Sequence, residues 1–378
     1  MRILHVGLFH KLGSGQRAQL EYERSAASGL ENAVWHTHTL TPDADRTDDG
    51  PKVPRWARRF QLAKLFTWCH IVRTARKYDA VLMRTISPDP FAAFMAPLIP
   101  NLYTIHHSKE REELALLTSG IRRRMTLFLE GRLKTWAFRR LRGVIGVTEE
   151  IALYESRRFP HAAVVATYPN GIDLGGLPVS DAIPATTGPI HAVFVSSVFY
   201  SWQGLDRLLS ALAESAPHIQ NSLVVHLVGR LEDEQLPLAE QLAARGVVKL
   251  HGELTPDQMS PVLAGAQVAI ASLALDRKDL LQASTLKVRE YLAAGLPVYS
   301  THEDSGLPSH FEYYFCDGKG VSIERIVAFH DGLVDRARSS VREAARPYID
   351  KQAIMKRLIE QLRTPTAHES ALLRARRS

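Results

Sequence analysis

The sequence predicts an α/β protein made of two open, parallel-sheet domains. Three observations carry that prediction. Strand-like apolar runs alternate with helical patterns along the chain, a stretch without periodicity interrupts them at 174–189, and the alternation restarts beyond it. A length of 378 residues fits two domains, since domains run to roughly 100–200 residues each.

In order, RILHVGLF (2–9) reads as a buried first strand and 14–29 as a helix. AVLMR (80–84), LYTIHH (102–107) and GVIGVT (143–148) read as further strands with helical stretches between them. LGGLPVSDAIPATTGP (174–189), rich in Gly, Pro, Ser and Thr, reads as the linker. HAVFVSS (191–197) restarts the pattern, followed by a helix at 205–216 whose leucines recur at i, i+3 and i+4. Strands are expected at 223–229, 247–252, 268–273 and 297–301. The domains are placed at 1–175 and 190–348, with a helix at 349–365 packing back on the first domain and a frayed tail over 366–378. Ligands of open parallel sheets sit beyond the carboxyl ends of the strands. Two such domains facing an interdomain cleft suit an enzyme that brings two substrates together.

Composition narrows the class. Hydrophobic residues at 45% and charged residues at 23% fit a globular protein and exclude wholesale disorder. Cys69 and Cys316 lie at no metal or redox spacing and read as free thiols of a reducing compartment. The amino terminus reads as a strand rather than a secretion signal, and no apolar run is long enough to span a bilayer. The expected location is cytoplasmic, with room for peripheral attachment to the inner face of a membrane.

The net charge of +7 is unevenly spread. Residues 51–78 hold eight basic and no acidic side chains, and residues 121–142 hold eight basic against Glu130 alone. Trp56, Phe60, Phe66 and Trp68 interleave with the first cluster, and Phe128, Trp136 and Phe138 with the second. Two readings stand: an interfacial surface on anionic lipid through 52–77 and 122–142, or solvated helix faces whose aromatics enter the core. No nucleic-acid-binding motif is present, so nucleic acid is not an expected partner.

The most informative segment is QASTLKVREYLAAGLPVYST (282–301). Ser284 or Thr285 suits the N-cap of a helix through Lys287 to Ala294, which Gly295 and Pro297 end. A helix amino terminus carries unpaired N–H groups and about half a positive charge, so it favours phosphate. Lys287 adds a full charge in the first turn. Glu290 lies on the same face, where a carboxylate accepts hydrogen bonds from ribose hydroxyls. The plain alternative is a surface helix with a weak Lys287–Glu290 ion pair.

The same segment resembles the donor-binding motif of the GT-B retaining glycosyltransferases of family 4. The pattern S-x-L-K-x-x-E-Y-x-A-x-G-x-P-V matches at Ser284, Leu286, Lys287, Glu290, Tyr291, Ala293, Gly295, Pro297 and Val298. PNGID (169–173), TIHH (104–107), GVIGVTEE (143–150), WQGLDRLL (202–209), LVGR (227–230) and LHGEL (250–254) resemble further landmarks of that family in the expected order. The resemblance implies a GT-B architecture of two Rossmann-like domains. It implies sugar transfer, with retention, from a nucleotide-diphosphate sugar to a glycan or lipid-linked glycan. Bacterial-type surface polysaccharide synthesis is the implied setting. It assigns Glu290 to the donor ribose and His106 to the donor sugar. Ser284, Thr285, Leu286 and Lys287 are assigned to the nucleotide and phosphates; Arg230 and Arg277, outside the motif, are candidate helpers where the family's basic pair is missing. Gly13, Ser14 and Gly15 form a small-residue turn where sugar approaches the backbone.

Two positions depart from the family. Gln282 stands where the first glutamate of an E-x7-E pair is expected, and a neutral amide does not stabilise positive charge at an anomeric carbon. Ser197 and Gln203 stand where the family often has a basic pair. The first departure leaves open a weakly active or inactive nucleotide-sugar-binding relative. A GT-B-like nucleotide-sugar epimerase is a third reading. No metal-ligand spacing is evident, so the donor is the only cofactor-like group expected. Glu303 to Gly306 reads as a loop turn with Gly306 at positive φ, and Glu149 and Glu150 as caps of the helix they begin.

Overall fold

The computed structural model describes residues 1–9, 12–41, 51–57, 59–84, 89–109, 120, 128, 131–132, 134–175, 188–318, 320–333 and 336–363. Linker residues 176–187, Arg58, Arg122, Arg123, Arg124 and the tail 366–378 lie outside them. The chain divides into two compact units, 1–173 with 351–378, and 174–350.

The first unit contains β1 (Arg2–Leu8), α1 (Ser14–Ser28), β2 (Val34–Leu40), α2 (Phe60–Thr74), β3 (Ala80–Arg84), β4 (Leu102–His106), β5 (Gly143–Gly146), α3 (Glu149–Arg158) and β6 (Val164–Thr167). Its sheet runs β2-β1-β3-β4-β5-β6, with every pairing parallel. Side chains alternate across a strand. Leu4 and Val6 therefore join Trp68, Phe138 and Phe159 on one face, while Ile3 joins Trp35 and Tyr168 on the other. Both faces are covered, so the central strands read as continuous apolar runs. β2 escapes that rule. Its sequence VWHTHTL mixes apolar with polar residues along an edge of the sheet, and the run-based reading does not find it.

The second unit contains β7 (Ile190–Val198), α4 (Leu205–Glu214), β8 (Leu223–Arg230), α5 (Leu236–Ala244), β9 (Val248–Gly252), α6 (Pro256–Gly265), β10 (Val268–Ile270), β11 (Gln282–Ala283), α7 (Leu286–Ala293), β12 (Val298–Ser300), β13 (Glu303–Asp304), β14 (Tyr314–Cys316), α8 (Ile323–Asp331) and α9 (Arg338–Ile349). Its main sheet is parallel, in the order β14-β12-β10-β7-β8-β9. β11 and β13 form a separate parallel pair. The chain then returns to the first unit as α10 (Lys351–Arg363). Ile354, Met355, Leu358 and Leu362 of α10 enter the core shared by Ile3, Trp35 and Tyr168, and the Lys351 N–H donates to the Ile172 carbonyl at 2.9 Å.

Strand order reverses between β1 and β3 in one sheet and between β7 and β10 in the other. Successive connections there leave in opposite directions, which opens a crevice at the carboxyl edge. Both groups of polar residues described below lie beside these crevices.

Candidate functional site

The donor-motif residues gather at the carboxyl edge of the second unit. Thr285 occupies the N-cap position of α7 with extended φ and ψ, and its side chain makes no cap hydrogen bond. Its Oγ1 is buried without a partner. The first-turn N–H groups of α7 therefore lack a side-chain acceptor, which leaves them suited to an anion. Ser284 is buried beside it, and Leu286 is half-buried.

Lys287 is the centre of the site. Its Nζ donates to Gln203 Oε1 at 2.7 Å and lies 5.2 Å from the centre of the Phe194 ring. Gln203 Oε1 also accepts from Ser272 Oγ at 2.9 Å. The ammonium forms no ion pair with Glu290, so the weak-pair alternative does not describe this helix. Burial strips water from the ammonium and lowers its pKa to about 7, while the more distant Glu290 carboxylate pulls the other way. The Glu290 side chain stands at the exposed surface, and its carboxylate takes no hydrogen bond from the described residues. Crowding by protein raises its pKa, against a smaller lowering by Lys287.

The surroundings fix this geometry. Gly204, at φ 73°, precedes α4 and packs against Leu273, where an added Cβ would lie 2.8 Å from the main chain. Arg277 makes a bidentate pair with Asp206, and Arg207 makes one with Asp276. These pairs tie the Gln203 turn to residues 275–278, and they occupy Arg277, which was expected to help bind phosphate. Arg230 ends β8 with an exposed side chain that has no partner among the described residues. The Tyr291 hydroxyl accepts from the Val195 N–H at 2.8 Å, where β7 shifts register against β8. Arg289, fully buried, pairs with Asp304 through both guanidinium nitrogens, binding α7 to β13. At the far end, Gly295 adopts φ 74°, and an added Cβ would meet the Arg338 main chain at 2.5 Å.

Gln282 pairs in register with Glu303, and its amide donates to Glu303 Oε2 at 3.3 Å. Glu303 is exposed. A carboxylate is thus present beside the amide, on the neighbouring strand. The loop-turn reading of 303–306 is corrected here: Glu303 and Asp304 form β13, and Gly306 is not at positive φ. Sequence reasoning also missed His302. It is buried, its Nδ1 donates to the Ser272 carbonyl at 3.0 Å, and its Nε2 has no partner. Burial lowers its pKa to about 4, so the ring is neutral at physiological pH.

The other expected residues lie in the first unit. His106 is fully buried, bonded to Thr104 Oγ1 at 2.9 Å and stacked near Phe159. The adjacent His107 lines a small cavity instead. Gly13 and Gly15 are exposed at the start of α1 and have no positive φ, so nothing in the backbone requires glycine there; the Ser14 side chain lies outside the described residues. Thr148, rather than Glu149 or Glu150, caps α3 by accepting from the Ile151 N–H at 3.2 Å. The basic segments divide. Trp68, Phe138, Lys64 and Lys134 are buried, whereas Trp56, Phe128 and Trp136 are exposed, with the Arg139 guanidinium 4.3 Å from the Trp136 ring centre. Exposed Phe94, close to Trp136, and exposed Leu98 add apolar surface. Among the described residues no helix is long and apolar enough to cross a membrane, and no cluster of His, Cys, Asp or Glu is arranged to hold a metal ion.

Residues 189–322 match the family described as Glycosyl transferases group 1. No curated protein sequence matches the chain. Among solved structures, the lipopolysaccharide outer core galactosyltransferase WaaB in its apo form aligns with TM-score 0.60 at 10% identity, covering 96% of this chain and 99% of that one. WaaG, a glycosyltransferase involved in lipopolysaccharide biosynthesis, aligns with TM-score 0.56 at 15% identity over 96% and 99%. An α-glucosyltransferase in complex with UDP and a DNA 13-mer aligns with TM-score 0.59 at 11% identity over 96% and 99%. Two parallel six-stranded sheets and neighbours aligned over nearly the whole length give the chain the GT-B fold, and its second unit carries the segment, with the Lys287 and Glu290 helix, that matches the group 1 glycosyltransferases.

Proposed function

We propose that the chain transfers a hexosyl group from a nucleotide-diphosphate sugar to a hydroxyl of a glycan or lipid-linked glycan, with retention at the anomeric carbon. The observation that carries this reading is the half-buried Lys287, whose ammonium has no carboxylate partner among the described residues at the open amino terminus of α7. A diphosphate seated there gains the ammonium and the first-turn N–H groups together. Glu290, three residues on and exposed, takes the ribose hydroxyls. As the glycosidic bond breaks, negative charge grows on the departing phosphate, where those cationic groups stabilise it. That phosphate also accepts the acceptor proton, so the protein mainly positions substrates. Gln282 and Glu303 together serve the donor sugar, with the carboxylate held by the second residue of the pair.

Titration calorimetry with UDP and nucleotide sugars tests this. Lys287→Ala is expected to weaken binding about tenfold to a hundredfold, since a hydrogen bond to a charged group contributes about 1.5–3 kcal/mol. Glu290→Ala is expected to weaken it less. Unchanged affinity in both variants would remove the assignment. Glu303→Gln is expected to lower turnover while leaving UDP affinity intact. Nucleotide binding with no turnover in the unaltered protein would instead favour a non-catalytic binder, the reading that Gln282 motivates.

The proposed setting is surface polysaccharide synthesis in the cytoplasm, at the inner face of a membrane. The lipopolysaccharide enzymes among the fold neighbours support it, as do exposed Trp56, Phe94, Leu98 and Trp136 beside arginine. Co-sedimentation with anionic vesicles, and none with neutral vesicles, is the expected result; no difference between them argues against attachment.

A further inference from the structure

One buried histidine within electrostatic reach of Lys287 has no part in the proposed transfer. His302 follows β12 and is 4% exposed. Its carbonyl accepts from the Tyr314 hydroxyl at 2.7 Å, which fixes its main chain. Its Nδ1 lies 3.0 Å from the Ser272 carbonyl oxygen and 2.8 Å from Ser300 Oγ. A carbonyl only accepts, so the proton of the neutral ring sits on Nδ1 and Nε2 keeps a bare lone pair. That Nε2 is buried with no hydrogen-bond partner among the described residues. Leaving such an atom unsatisfied costs about 1–3 kcal/mol, a cost that a side chain serving packing alone would not carry.

The peptide unit that His302 holds also holds the donor site. The Leu273 N–H, at the opposite edge of the Ser272–Leu273 amide plane, donates to the Gln203 carbonyl at 2.8 Å. The Ser272 hydroxyl donates to Gln203 Oε1 at 2.9 Å, and Lys287 Nζ donates to the same oxygen at 2.7 Å. Residues 272 and 273 therefore grip Gln203 by its main chain and its side chain, with the amide oxygen turned to the ammonium. His302 pins that grip from the other edge of the plane. Hydrogen bonds to the two ends of one peptide unit polarise each other, so each strengthens the other. The charged groups that bear on the imidazole are Asp304, Lys287 and Arg289, and the first and last of these are paired together.

We propose that His302 is a positioning residue of the donor site: its Nδ1–H locks the Ser272–Leu273 peptide, and through Gln203 that peptide holds the Lys287 ammonium in place for a diphosphate. The ammonium spends one of its three protons on Gln203 and keeps the others for a ligand. Naming that ligand a donor diphosphate rests on the transferase reading; the hold of His302 on the ammonium does not.

The test follows the Lys287 titration by NMR in the full chain, isotope-labelled at lysine Cε, with the signal identified by its loss in Lys287→Arg. His302→Ala loosens Gln203, so the ammonium loses a fixed acceptor and its charged form is less favoured. The midpoint moves from about 7 to lower pH by about one pH unit, and UDP affinity at pH 7 falls by about threefold to tenfold. An asparagine places an N–H where Nδ1–H stood, whereas a glutamine places it at the Nε2 position. His302→Asn therefore restores the midpoint and the UDP affinity, and His302→Gln, the closer match in size, does not. If His302→Ala melts below the working temperature, the asparagine and glutamine variants decide alone. Asparagine and glutamine variants that behave alike overturn the proposal, as does a Lys287 midpoint left in place by His302→Ala. Failure of the donor reading shows differently, as UDP affinity indifferent to Lys287→Ala, and it leaves the lysine titration to decide the role of His302.

Discussion

The two sheet reversals make an instructive pair. Beside the one in the second unit, half-buried Lys287 donates to the Gln203 amide, itself bonded to Ser272, and lies near the Phe194 ring, and its pKa falls to about 7. Beside the one in the first unit, Glu23 is buried among four donors and remains ionised, its pKa held far below the usual carboxylate range because the nearby cation and hydrogen bonds outweigh the burial that opposes them. The difference is what each buried group has been given. Glu23 is satisfied within its own core, and Lys287 is left for a ligand to satisfy. Burial by itself therefore does not mark a site; burial without a countercharge does.

Removing the buried carboxylate from each unit breaks the comparison most strongly. Asp304→Ala removes the carboxylate that pairs with the enclosed Arg289 guanidinium, at an expected cost of about 3–5 kcal/mol. Denaturant unfolding reads that loss. Because the same pair binds α7 to β13, UDP affinity falls with it. Glu23→Gln leaves His5 and Tyr168 with a weaker acceptor and destabilises the first unit by a similar or smaller amount, yet UDP affinity stays unchanged. Equal effects of the two variants on UDP binding would mean that the donor site is not confined to the second unit.

A smaller effect sharpens the same contrast through pH. The Lys287 pKa near 7 in the free protein rises when a diphosphate sits beside it, so binding takes up a proton. UDP affinity is expected to fall by up to tenfold per pH unit above 7 and to level off once pH exceeds the pKa of the bound state. Calorimetry in two buffers of different ionisation enthalpy counts the proton. Lys287→Arg, which stays charged, flattens the profile. A wild-type profile as flat as that of the arginine variant would show that the ammonium does not titrate on binding.

What local chemistry alone decides was legible in the chain. The strand AVLMR occupies 80–84, the helix predicted from 14 begins there, and the donor-motif helix runs from Leu286 to Ala293 with Gly295 just beyond it. Each depends on neighbours in sequence: apolar runs, caps and a left-handed glycine. The short pair β11–β13 was not legible, because two-residue strands carry no periodicity and their pairing joins residues 21 positions apart. The roles proposed for the site follow the same division. Lys287 and Glu290 could be named from a motif on one helix turn. The choice between His106 and His107, adjacent in sequence, could not. Successive side chains at the end of a strand point to opposite faces, and only the assembled sheet decides which face is core and which is cavity. The amino-acid sequence thus set the fold class and the charge of the donor helix. The tertiary structure alone set which buried charges find partners, because those partners arrive from strands and helices distant along the chain.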